Sequence, residues 1–102
     1  MAVSVVAVDR PEVPYCSMPD RFRHDVTYFA TPAGMQDAPR SLADGEFWIR
    51  AEDVHRILDD GAITIVSPLD SASRTEIEIT EDQERWLQWL LDHAVQHVRI
   101  RR

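Results

Sequence analysis

Residues 80–100, TEDQERWLQWLLDHAVQHVRI, constrain the fold more than any other part of this 102-residue chain. Thr80 followed by Gln83 is the T-x-x-Q form of a capping box, in which side chains and backbone amides at a helix start satisfy one another. Glu81, Asp82 and Glu84 crowd the end where a helix dipole is positive, and Arg99 stands near the other end. At about 100° per residue, Leu87, Leu90, Leu91, Ala94, Val95 and Val98 share one face, while Arg85, Gln88, Asp92 and Gln96 fall opposite. The spacing predicts a single amphipathic helix over all of 80–100, with its leucine face on a core.

On that wheel Trp86, Trp89, His93 and His97 form a contiguous flank beside the apolar face. A helix lying on a sheet needs only its central stripe, so the flank is surplus surface. The plain expectation is that the loop at 30–45 folds over it. The sharper one is an interface, because tryptophan is enriched at interface centres and large exposed apolar patches are rare on monomers. His93 and His97, at i and i+4, also have the spacing that brings two imidazoles to one divalent metal ion. Two ligands do not make a site. A third would have to come from His24, His55, Cys16 or a carboxylate. Ala94 stands where H-E-x-x-H has its glutamate, so the zinc-protease signature is absent, and a histidine near a helix C-terminus is favoured by the dipole alone.

Upstream, the period changes. Val3–Val8 is a valine-rich run suited to a buried strand. Pro11, Pro14 and Pro19 each remove a backbone donor, so 9–19 reads as irregular or edge-like. Phe22, His24, Val26 and Tyr28 alternate with Arg23, Asp25 and Thr27, the period of a half-buried strand near 22–29. Residues 30–45 hold Pro32, Gly34, Pro39 and Gly45 without periodicity and read as a long loop. Phe47–Ile49 makes a short strand. In 51–60, Val54, Ile57 and Leu58 fall at helical spacing behind Glu52 and Asp53, and Gly61 is placed to end the helix. Ala62–Val66 and Thr75–Ile79 read as paired strands with their isoleucines on one side, joined by a wide loop over Ser67–Arg74. The expected order is β-β-β-α-β-β-α. It describes one α+β domain over 1–102, two-layered, with a mostly antiparallel sheet of about five strands and two helices on one face. Residues 9–45 are its loop-rich part and 46–102 its better-defined part.

Charge narrows the partners. The chain has 18 acids against 11 basic residues, all arginine. Residues 52–84 hold ten acids against Arg56 and Arg74, whereas 85–102 hold Asp92 against Arg85, Arg99, Arg101 and Arg102. A net negative surface repels phosphate backbones, so no nucleic acid is expected. No run approaches the roughly 18 apolar residues of a membrane span, and 2–8 lack the basic region of a signal peptide. Cys16 is the single cysteine, so a cytoplasmic location is the default.

Candidates for chemistry are sparse. The acid pairs Asp59/Asp60, Glu76/Glu78 and Glu81/Asp82 read as hydrated surface, since acid–base work needs a desolvated carboxyl. With three glycines there is no phosphate-cradling loop, and no nucleophile elbow is present. Cys16 lacks a neighbouring positive charge in sequence to activate it. Arg50 and His55, around the start of the first helix, are the best anion-contacting pair. No catalytic residue is assigned, and the reading leans away from an enzyme. The expectation is an interaction or accessory domain that pairs with itself or with a protein partner through Trp86, Trp89, His93 and His97. The alternative is a small-ligand or metal-binding protein using His93, His97 and the 30–45 loop, with no other cofactor.

Overall fold

The computed structural model describes residues 2–20, 22–66, 69 and 73–101. Its elements are β1 (Ala2–Ala7), β2 (Cys16–Pro19), α1 (Phe22–Asp25), β3 (Thr31–Pro32), β4 (Glu46–Trp48), α2 (Ala51–Asp60), β5 (Ala62–Val66), β6 (Arg74–Glu78), α3 (Glu81–Asp92) and β7 (His97–Arg101). Five strands make an antiparallel sheet in the order β2-β1-β7-β4-β3, and β5 with β6 makes a separate two-stranded sheet. The fold is α+β. Alternation along β1 buries Val3, Val5 and Ala7 in one core with Val54 and Ile57 of α2, Trp86, Leu87 and Leu90 of α3, and Val98 of β7. Both long helices therefore lie on the same face of the sheet.

The last segment departs most from its helical pattern. The capping box forms as the sequence dictates: the Gln83 amide donates to Thr80 Oγ1 at 3.3 Å and the Thr80 amide to Gln83 Oε1 at 2.8 Å. The helix then stops at Asp92 instead of continuing to Ile100. Ala94 adopts a left-handed conformation, φ 53°. Its amide donates to Leu91 O at 3.2 Å and the Val95 amide to Leu90 O at 2.9 Å. That pair of bonds is a Schellman motif with alanine in the place glycine usually takes, and Leu90 and Val95 supply its apolar contact inside the core. Beyond the turn, His97–Arg101 is rich in β-branched residues and enters the sheet between β1 and β4. Edge pairing on both sides outweighs two more turns of helix.

Two further expectations change, and the edge-like alternative expected for 9–19 is met. The segment expected as a strand near 22–29 is α1 running into a 3-10 turn at Val26–Tyr28. Its contacts are four residues apart: the Ala30 amide donates to Val26 O at 2.9 Å, and His24 Nε2 lies 3.1 Å from the Tyr28 hydroxyl. Of His24, Val26 and Tyr28 only Val26 is buried, so the period of two had no face behind it. Within the proline-bearing 9–19 stretch, Cys16–Pro19 is a true strand, at the sheet edge where proline is tolerated. The long loop contributes the short edge strand β3. The observed order is thus β-β-α-β-β-α-β-β-α-β.

The middle of the chain follows its pattern. Gly61, φ 69°, ends α2 and donates to Ile57 O at 2.8 Å. Ile63 faces Ile77 across the β5–β6 pair. The wide loop expected over Ser67–Arg74 lies mostly outside the described residues, as does Arg102 of the basic end.

Two substitutions test the ends of α3. Ala94→Gly relieves the left-handed alanine and raises stability by about 0.5–1 kcal/mol, read as a higher urea midpoint. Thr80→Ala removes the cap and lowers stability by about 1 kcal/mol. A lower midpoint for Ala94→Gly would mean that the turn carries no strain.

Candidate functional site

The structure separates the four residues that a continuous helix would have grouped. Trp86 is 1% exposed and belongs to the core. Trp89, one turn on, is half-buried, with its ring 5.8 Å from that of exposed His93 at the helix C-cap. His97 is on β7, on the far side of the Ala94 turn, and is 7% exposed. The i, i+4 geometry that paired His93 with His97 is absent because the helix ends before both. Among the described residues, no three His, Cys, Asp or Glu side chains are grouped as a metal site requires. Arg50 takes the N-cap position of α2 without a side-chain cap, and His55 lies on the second turn; both are exposed.

His97 instead meets Glu46, a residue no motif singled out. The β4–β7 register sets Glu46 opposite Arg99 and Trp48 opposite His97, on the sheet face turned away from α2 and α3. Glu46 is 3% exposed. Its Oε1 accepts from the Ala43 amide at 2.9 Å and from His97 Nε2 at 2.7 Å, and its Oε2 accepts from Arg99 Nη2 at 2.6 Å. A carboxylate only accepts, so His97 Nε2 carries the proton. The Ala43 amide first, and then the His97 bond, hold the Glu46 carboxyl down to about 2; burial opposes them and Arg99 adds to them. A carboxylate so saturated is a clamp, not a proton carrier. It closes the turn at Ala43–Glu46, where Gly45 takes φ 81°, and ties that turn to β7. Nothing in the spacing of the sequence marks Glu46, whose partners lie 51 and 53 residues away.

Two of the hollows beside α3 bear on the expected site residues. One, of about 270 Å³, lies between the edge strand β2 and α3 and is lined by Cys16, Ser17, Asp82, Arg85, Trp86 and Trp89. It exists because α3 packs along β2 while β2 ends the sheet. Gln83 fixes the helix start there by donating from Nε2 to Asp25 Oδ2 at 3.0 Å, which holds α1 against it. Arg85 is paired to Asp82 at 3.2 Å and is largely exposed. Burial pushes the Cys16 thiol up, and the charge of Arg85 offsets this only in part, so the environment favours the protonated thiol. Tyr15, the residue before β2, is 66% exposed. The second hollow, also about 270 Å³, lies between α2 and the end of α3, with Val54, Leu90, Leu91 and Val95 around His55. His55 faces it and Arg50 does not line it, so the expected anion-contacting pair is not assembled around one cavity.

No protein-family profile, curated protein or solved structure matches the chain. No helix among the described residues is long and apolar enough to cross a membrane.

The clamp makes a pH prediction. Glu46 is depressed when folded, so its stabilisation is complete above its ordinary value of 4.5 and is lost as pH falls toward about 2. Glu46→Gln lowers stability at pH 7 by about 2 kcal/mol. It also flattens the fall in thermal midpoint below pH 4.5, so the wild-type and variant curves converge in acid.

Proposed function

We propose that this chain is a protein-association domain that receives an extended segment of a partner chain along β2, beside α3. One observation carries the reading: a sheet edge with no further strand beside it among the described residues and a tryptophan-bearing helix face enclose one hollow. Strand addition draws affinity from backbone hydrogen bonds at an edge and selectivity from a pocket for alternate side chains. Here β2 supplies the edge, Trp89 the half-open apolar wall, and Arg85 with Asp82 a polar rim. Exposed Tyr15 stands at the open end of the strand, the kind of aromatic anchor that interfaces use. The occupant that fits is an extended, largely uncharged segment carrying a leucine, methionine or aromatic side chain for the hollow. The acidic surface disfavours nucleic acid as the partner. A cytoplasmic setting belongs to the same reading, as Cys16 is a free thiol.

This keeps the last helix as the recognition element but changes its residues. Trp86 and His97 are committed to the interior, which leaves Trp89 and Arg85 to meet a partner. A second reading, a small-ligand protein, is favoured by the apolar hollow around His55, whose imidazole would orient a compact, mostly apolar compound.

Selection of a random peptide library against the full chain tests the first reading. Recovered peptides carry one apolar anchor and perturb the amide resonances of Cys16, Ser17 and Met18. Trp89→Ala weakens them about tenfold or more while the fold is retained. Peptides that perturb only the α2–α3 hollow, or bind Trp89→Ala unchanged, overturn it.

A further inference from the structure

We infer that a second copy of this chain pairs through β6, joining two β5–β6 hairpins into one four-stranded antiparallel sheet. The surface is separate from the β2 groove, so the two proposals stand or fall independently.

Four observations lead there. First, β5 and β6 pair only with each other among the described residues, and a lone two-stranded ribbon is marginal in water. Second, β5 is the inner strand: Ala62 and Ile63 are buried and β5 lies against α2. β6 is the outer strand, with Arg74, Thr75, Glu76 and Glu78 exposed and Ile77 half-buried. Third, the outer edge of β6 has no strand beside it among the described residues, and RTEIE contains no proline or glycine to interrupt pairing along it. Fourth, its exposed charges are of both signs, Arg74 against Glu76 and Glu78, so the strand can set opposite charges against a second copy of itself.

The charges choose the register. A two-fold axis perpendicular to the sheet keeps the inner side, with Ile63 and Ile77, on the same face in both copies. Such an axis passes beside a residue, and Thr75 and Glu76 are the candidates within the charged stretch. An axis at Glu76 sets that carboxylate directly opposite its own copy, which destabilises the pair. An axis at Thr75 sets Arg74 opposite the second copy's Glu76, twice by symmetry, and brings each Glu78 diagonally toward the opposing Arg74. Thr75 then faces Thr75, and the inner face stays free of charge. The contact is short, so the dimer is reversible and weakens with salt.

Sedimentation equilibrium on the full chain, up to about 500 µM at low ionic strength, reads the association. The wild type forms a reversible dimer. Arg74→Glu and Glu76→Arg each place like charges opposite one another and weaken it about tenfold or more, while the double reversal R74E/E76R restores it to within about threefold. Both substituted side chains are solvent-exposed, and unchanged far-ultraviolet circular dichroism confirms that each variant folds. A wild type that stays monomeric throughout, a dimer indifferent to the single reversals, or a double reversal that fails to rescue would each overturn the inference.

Discussion

The sheet depends on its last strand. β7 hydrogen-bonds to β1 on one side and to β4 on the other, and it is the only described element that joins the two halves. Without it, β2-β1 and β4-β3 are separate two-stranded ribbons, each too small to persist alone. Its two faces divide the labour. Val98 enters the core between Ala7 and Phe47, while His97 and Arg99 converge on Glu46 across the other face. The Glu46 carboxylate thus fixes the register of β4 on β7 and the turn that delivers the chain into β4. Arranged this way, a buried charge sits in a fully bonded setting instead of an uncompensated one.

The position of β7 also explains where binding surfaces remain. A central strand added last pushes β1 and β2 to one side, which leaves β2 as an edge, and α3 runs along it with Trp89 half-open. The β5–β6 hairpin lies outside the main sheet, and among the described residues no strand lies beside the outer edge of β6. Both proposed contacts are therefore edges, and both rest on backbone groups that have no strand partner among the described residues. What distinguishes them is side-chain chemistry: an apolar hollow beside β2, and exposed charges of both signs along β6.

Local signals were legible where one residue type decides the outcome. The Thr80–Gln83 box, the Gly61 stop after α2 and the Ile63–Ile77 pairing all follow from short-range stereochemistry, and each stands in the structure. Periodicity without burial misled at 22–28, where alternation suggested a strand but the backbone bonds close turns. At the other end, helical spacing ran straight through a boundary that carries no glycine or proline. Ala94 tolerates the left-handed conformation because Val95 is buried against Leu90 once the chain turns, a gain that no window of local sequence contains.

The sequence by itself therefore determined the elements with strong ends and faces: α2, the start of α3, the β5–β6 pair and the valine strand β1. It determined the α+β class as well, since such elements can bury their apolar sides only as helices on a sheet. Tertiary structure alone decided that the final residues are a strand, because their reward is the pairing on both flanks with β1 and β4, more than 45 residues away in sequence. The same decision took Trp86 and His97 into the interior and separated His93 from His97. It also gave Glu46 its partners, because contacts across a sheet depend on strand order, which spacing along the chain does not encode.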